Sequence, residues 1–255
     1  MELVVVNTKD SVAHEGASRI QDLVTELPSS TVGLATGATQ QGIYRLLMDA
    51  HQRGDINFDQ VKFFMLDEYV GVPATSTTSF RHVLTHHFLQ EIGVQDHALE
   101  GLDGMANDLD AEAQRFEDTL VASGGLDLQM LGIGVNGHIG FNEPGSDFAS
   151  RTRVVSLDPE TIRSNAIYFD SEDVVPRTAL TQDIGTIMEA RSILLMATGT
   201  SKAHAIASLV HGPVTTECPA SILTTHPDVT VIVDSAAASL LEGQRPAVSG
   251  LSVQV

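Results

Sequence analysis

The sequence predicts an α/β fold in which a mainly parallel sheet is covered by helices on both faces. Two observations lead there: short β-rich runs recur at wide intervals along the chain, and amphipathic helical patterns lie between them. Residues 3–6 form the first such run, and Ala13, Ala17, Ile20 and Val24 then line one face of a helix. Residues 31–35 are the second run, followed by a helical stripe of Ile43, Leu46, Leu47 and Ala50. Further runs fall at 61–66, 128–133, 193–197 and 229–233, and Ala203, Ile206, Ala207 and Val210 mark another helix between the last two. There is no internal repeat, low-complexity tract or Pro/Gly/Ser-rich linker, so residues 1–255 read as one domain. Two irregular stretches, 36–39 and 132–146, directly follow strands. In open parallel sheets ligands bind outside the carboxyl ends of strands, which makes both stretches candidate sites.

Composition narrows the function. A chain of 255 residues that is 42% hydrophobic can bury one large core. No apolar run is long enough for a bilayer span, and residues 1–10 lack the basic and apolar regions of a secretion signal. A single cysteine, Cys218, fits a reducing compartment, and the cytoplasm is the expected location. With 14 Lys plus Arg against 33 Asp plus Glu, a net charge of −19 disfavours nucleic acid and anionic lipid as partners. A small anion can still bind where backbone amides, a helix N-terminus and a placed cation overcome that field.

Four places offer chemistry. Thr36-Gly37-Ala38-Thr39 carries a strand through a small-residue turn into a helix, a geometry that cradles an anion and equally serves as an ordinary helix cap. Asp67 and Glu68 follow an apolar strand; a partly dry, mutually repelled pair raises a carboxyl pKa and suits a general base, and the alternative is one structural carboxylate capping a loop and one solvated. The stretch from Gly132 to Pro144 holds one imidazole, His138, between Asn136 and Glu143. Its glycines do not make a dinucleotide site, because His138 and Pro144 interrupt the helix a pyrophosphate needs. His138 is then a proton-transfer group or a buried structural histidine. Lys202 opens a helix after residues 197–201, where a cation opposes the dipole unless an anion sits there or the ammonium reaches into water.

Metal chemistry lacks ligands: His86 and His87 are adjacent and face apart, and neither H-E-x-x-H nor clustered cysteine occurs. Cys218, before Pro219, has no matching base and reads as packing.

Taken together, Leu66-Asp67-Glu68-Tyr69-Val70-Gly71, Asn136-Gly137-His138-Ile139, Phe141-Asn142-Glu143-Pro144, Ser150-Arg151-Thr152-Arg153 and Ala179-Leu180-Thr181 resemble the glucosamine-6-phosphate deaminase and isomerase family, which is related to 6-phosphogluconolactonases. The motifs span most of the chain. The resemblance implies a Rossmann-like three-layer α/β sandwich and a reaction without metal or cofactor. That reaction turns glucosamine 6-phosphate and water into fructose 6-phosphate and ammonia, a step of amino-sugar catabolism. It further implies that His138, held by Asn136 and Glu143, helps open the sugar ring and that Asp67 moves a proton between C2 and C1. Thr36, Gly37, Ala38, Thr39 and Lys202 would hold the phosphate, with Gly132 leaving room for the sugar.

Three departures from the family pattern stand out. Asn136 replaces an aspartate found in some members. Ile167 stands where members commonly place a phosphate-binding arginine, with Arg163 on the preceding helical turn as a candidate substitute. Arg153 is present, but Val155 replaces a lysine and the chain ends at Val255 without the tail of regulated hexameric members, so no allosteric N-acetylglucosamine 6-phosphate site is expected. The oligomeric state stays open. A lactonase would share the cradle and the histidine but needs no base at C2, which is what Asp67 supplies. A galactosamine 6-phosphate substrate differs at C4 alone, and a non-catalytic sugar-phosphate sensor has no use for a proton shuttle.

Overall fold

The computed structural model describes residues 1–241 and 252–254; the chain end at Val255, on which the expectation of a missing tail rests, lies outside them. In chain order the strands are β1 (Glu2–Val6), β2 (Thr31–Leu34), β3 (Lys62–Met65), β4 (Asp67–Tyr69), β5 (Leu99–Glu100), β6 (Leu128–Leu131), β7 (Arg153–Ser156), β8 (Thr178–Thr181), β9 (Ser192–Ala197), β10 (Val229–Asp234) and β11 (Ser252–Gln254). The α-helices are α1 (Lys9–Glu26), α2 (Ala38–Gln52), α3 (Phe80–Leu84), α4 (Leu109–Ala122), α5 (Pro159–Asn165), α6 (Ile184–Ile187) and α7 (Ala203–His211).

Eight strands make the central sheet, in the order β11-β1-β10-β9-β6-β2-β3-β5, and each pairing is parallel. Successive side chains of a strand point to opposite faces, so a sheet covered twice needs strands that are apolar at both parities. β3 and β9 show this. Phe63, Met65, Leu194 and Met196 pack with Ile20 of α1 and Ile43 and Leu47 of α2. On the other face Phe64, Ile193 and Leu195 pack with Phe116 of α4 and Ile206 and Leu209 of α7. The expected three-layer sandwich is the observed one.

The chain runs outward from β2 through β3 to β5, returns to β6 beside β2, and then proceeds the other way through β9 and β10. Strand order therefore reverses between β2 and β6, and a crevice opens beyond their carboxyl ends.

A second sheet was not expected. β4, β8 and β7 pair antiparallel, with Asp67 opposite Thr181 and Arg153 opposite Thr181 on the other side. Its strands are three or four residues long and carry carboxylates, guanidinium and hydroxyls, so no apolar run announces them. The two sheets join at Leu66, whose N–H donates to Leu34 O of the large sheet at 3.0 Å and whose carbonyl accepts from Gln182 N beside the small one at 2.8 Å. Tyr69, Phe141, Val155, Ile162 and Ala179 form a separate apolar cluster with the small sheet. The expected strand 128–133 ends at Leu131, because Gly134 N bonds back to His138 O at 2.8 Å and starts a turn. α4 and α5 are also additional, each begun by an aspartate cap: Asp108 accepts from Ala111 N and Asp158 from Glu160 N.

One carboxylate fastens the layers. Glu117 of α4, 7% exposed, accepts from Thr152 N at 3.0 Å, Arg151 Nη2 at 2.7 Å, Thr186 Oγ1 at 2.5 Å and Thr152 Oγ1. Burial pushes its carboxyl up, and the donors outweigh burial to leave it below its ordinary value. Replacing Glu117 with Ala strands these buried donors and is expected to cost about 3 kcal/mol, read as a lower urea midpoint at unchanged slope.

Candidate active site

A cavity of about 500 Å³ lies past the carboxyl ends of β2, β6 and β9 and at the β3–β4 junction. Residues of α5 and the turn after it, among them Ser164, Asn165 and Tyr168, line it on the opposite side.

At one corner the chain leaves β2 through Gly37, whose φ of +131° an L side chain rarely adopts, and enters α2. No side chain caps this helix, so the first-turn N–H groups of Ala38, Thr39 and Gln40 face the cavity end without an intrahelical acceptor. The turn after β9 meets this one: Thr198 Oγ1 lies 3.4 Å from Thr39 Oγ1. Gly199, with φ of +88°, begins a 3-10 turn ending at Lys202, and its N–H is held by Asp234 Oδ1 and Oδ2 at 3.0 and 3.1 Å. Lys202 is half-buried at the N-terminus of α7, and burial pulls its ammonium below the ordinary value with no carboxylate among the described residues to offset this. Helix amides, two hydroxyls and a cation thus converge on one corner, a donor set of the kind that suits a phosphate-sized anion.

Across the cavity stands Asp67. Alternation along β4 separates the two adjacent acids. Asp67 lines the cavity, whereas Glu68 accepts from Ser79 Oγ at 2.6 Å, Tyr69 N at 2.9 Å, Arg81 N at 3.0 Å and Phe80 N at 3.1 Å, anchoring the start of α3. Of the readings open from sequence, Glu68 is the carboxylate that caps a chain segment, and Asp67 is buried in the cavity wall and not solvated. Asp67 is 8% exposed; burial, reinforced by the charge of Glu68, pushes its carboxyl up to about 8. Glu68 is also pushed up by burial, and its four donors pull it back.

The third wall is the turn after β6. Gly134 lies flat against the imidazole: a β-carbon there would stand 2.3 Å from His138 Nδ1. His138 Nδ1 is 2.8 Å from Asn136 Oδ1 and 3.2 Å from Glu143 Oε2, while Asn136 Nδ2 donates to Glu143 Oε2 at 2.8 Å. Both neighbours of Nδ1 are acceptors, so Nδ1 carries the proton and Nε2 is left to exchange one. Glu143 does not itself line the cavity; it stands behind the imidazole, where Thr161 Oγ1 donates to its Oε1 at 2.5 Å. Burial works to raise the Glu143 carboxyl, but His138, Thr161 and Asn136 prevail and hold it down at about 2.

The structure thus brings Thr36, Gly37, Ala38, Thr39, Asp67, Gly132, Asn136, His138 and Lys202 around one cavity. Arg163 does not join them: it is exposed on α5 and does not line the cavity, and Ile167 is 78% exposed. Sequence reasoning missed Thr161, Thr198, Asn165 and the role of Glu68. Asn165 Nδ2 donates to the Tyr69 hydroxyl at 2.8 Å, tying the α5 side of the cavity to the strand that carries Asp67. Among the described residues no group of three or more His, Cys, Asp or Glu is placed to hold a metal, and no helix is long and apolar enough to cross a membrane.

Proton transfer on a small anionic substrate is the chemistry these groups share, and an acid–base enzyme of that kind is the class the fold and cavity define. A family described as glucosamine-6-phosphate isomerases/6-phosphogluconolactonase matches residues 7–232. The glucosamine-6-phosphate deaminase of Corynebacterium kroppenstedtii is 44% identical over 242 residues, covering 95% of this chain and 93% of that protein. That of Halothermothrix orenii is 42% identical over 241 residues, 94% of this chain and 100% of its own. A solved structure of a monomeric glucosamine-6-phosphate deaminase superposes with a TM-score of 0.92 at 41% identity, covering 94% of this chain and 100% of that one. A 6-phosphogluconolactonase from Trypanosoma brucei shares the fold, with a TM-score of 0.73 at 23% identity over 94% and 98% of the two chains. The chain belongs to the glucosamine-6-phosphate isomerase/6-phosphogluconolactonase family.

Because the folded-state value of Asp67 lies above the ordinary 3.8, its effect on stability is absent below that value and unfavourable as pH climbs toward about 8. Asp67→Asn removes the burial penalty. The variant is expected to melt higher than the native protein by roughly 5 °C at about pH 8, the difference shrinking toward about pH 4, in parallel thermal scans.

Proposed function

We propose that this chain catalyses the isomerisation and hydrolytic deamination of glucosamine 6-phosphate to fructose 6-phosphate and ammonia. The observation that carries the reading is a desolvated carboxylate, Asp67, facing an anion corner across a cavity that also holds His138. The relatives that resemble the chain at 39–44% identity are glucosamine-6-phosphate deaminases, while the likeness to the lactonases lies at 16–23% and speaks for fold alone.

The phosphate docks on the α2 amides, the Thr36 and Thr39 hydroxyls and Lys202, which spends binding energy away from the reacting carbons to place them. His138 Nε2, its partner nitrogen fixed by Asn136 and the ionised Glu143, exchanges a proton with the ring oxygen and C1 hydroxyl as the pyranose opens. Asp67 takes the proton from C2 of the open-chain aldehyde while the substrate's ammonium passes one to O1, leaving an enolamine; Asp67 then returns its proton to C1, leaving an iminium at C2. Water adds at C2 and ammonia departs. Burial of Asp67 keeps its proton from exchanging with solvent between the two carbons. Lactone hydrolysis has no step for such a carboxylate.

The role belongs to amino-sugar catabolism, and the cytoplasm is the compartment that fits a sugar-phosphate substrate and a single buried cysteine. Control by N-acetylglucosamine 6-phosphate is not part of the proposal. Arg153 forms an ion pair with Asp183, itself fully buried, and Val155 on the same strand is buried.

Ammonia release from glucosamine 6-phosphate tests the reading, with 6-phosphogluconolactone as the comparison substrate. The native protein is expected to act on the amino sugar and Asp67→Asn to lose at least about a thousandfold in kcat; turnover of the lactone alone would sink the assignment. Since the base works ionised, kcat/KM is expected to rise with pH and level off above about 8, and that limb to vanish in the variant's residual activity. Substrate saturation is expected to be hyperbolic, and adding N-acetylglucosamine 6-phosphate to leave KM unlowered.

A further inference from the structure

Gln40 is the third residue of α2 and only 2% exposed. A primary amide brings two donors and an acceptor into the interior, and burying them unbonded is costly enough that native structures rarely do so without a reason. Among the described residues Gln40 Nε2 has no hydrogen-bond partner. The amide spans two glycines of the cavity wall: a β-carbon at Gly37 would stand 3.0 Å from its Oε1, and one at Gly132 would stand 3.3 Å from its Nε2. Gly37, Gln40 and Gly132 all line the cavity. An apolar side chain of the same length would fill this space without the penalty. A ligand oxygen that completes the amide in the occupied state accounts for its presence.

We infer that the Gln40 side-chain amide is a substrate-holding donor, which bonds an oxygen at the phosphate-bearing end of the sugar phosphate between the Gly37 turn and Gly132. A half-turn about its Cγ–Cδ bond exchanges the two ends within one shape, so an N–H can meet the ligand without displacing either glycine. The inference rests on the proposed assignment of this cavity to the substrate. It adds a donor that neither the backbone cradle nor Lys202 supplies.

Steady-state kinetics and thermal scans of Gln40→Met and Gln40→Glu test it. Gln40→Met is expected to raise KM for glucosamine 6-phosphate about tenfold with kcat within about twofold, and to weaken competition by inorganic phosphate in parallel. Its Tm should hold or rise, since an unbonded polar group has left the interior. Gln40→Glu keeps the shape but points a carboxylate at the phosphate, and should raise KM at least as far. An unchanged KM in Gln40→Met overturns the inference, whether or not Tm falls; should that variant not fold, an unchanged KM in Gln40→Glu does so. If Gln40 variants are silent while Asp67→Asn is inactive, this inference alone fails. Full activity in Asp67→Asn instead removes the site assignment beneath it.

Discussion

Leu66 belongs to two sheets at once, and the geometry of the cavity depends on that. A parallel strand normally ends in a loop, but here the backbone hydrogen bonds pass from Leu34 on one side to Gln182 on the other without a break. The chain bends away from the large sheet while still paired, and the wedge between the sheets becomes the space in which a substrate can lie. Asp67 is the first residue beyond the bend, so its carboxylate stands in the wedge and not in water. Glu68 points the other way and is clamped by the start of α3. A base built on a strand fixed at both ends is better placed than one on a free loop, which is where the neighbouring motifs by themselves would have left it.

Environment then separates two carboxylates of similar intrinsic chemistry. Asp67 has burial and a like charge acting on it and is pushed up to about 8; Glu143 is partly buried but receives three donors and stays ionised, down at about 2. Pairs of groups pushed apart in this way mark which one moves a proton and which one supports another that does. The replacement of an aspartate by Asn136 fits this division, because the amide bridges the imidazole and Glu143 through one oxygen and one nitrogen and leaves the negative charge on Glu143 alone.

The large sheet was legible in the sequence because strands such as β3 and β9 are apolar at every position after the first, a pattern that has few other causes. The small sheet was not, since Asp67-Glu68-Tyr69 reads as a motif and its pairing with β8 joins residues over a hundred positions apart. Asp67, His138 and the Thr36–Thr39 turn could be found because each follows a strand end, where ligands collect. Thr161 could not: its hydroxyl serves Glu143 from a different element, and nothing in its neighbourhood sets it apart. Arg163, left open as a substitute by the sequence, is the reverse case. It stands one helical turn from Ile167 in sequence, yet α5 presents it to solvent, and proximity along a helix says little about which side faces a cavity.

The elevated Asp67 carboxyl has a consequence for binding as well as for rate. At neutral pH the empty cavity holds it mostly protonated. An amino sugar arrives with an ammonium on C2, the carbon whose proton the proposed reaction removes, and a cation at that distance favours the carboxylate over the acid. On the proposed reaction, substrate binding is therefore linked to release of a proton to the medium, and the heat of binding depends on the ionisation enthalpy of the buffer that collects it. A sugar phosphate of the same shape without the amine lacks the cation and leaves the proton where it was, so on that reading the carboxylate forms only for the ligand that carries nitrogen.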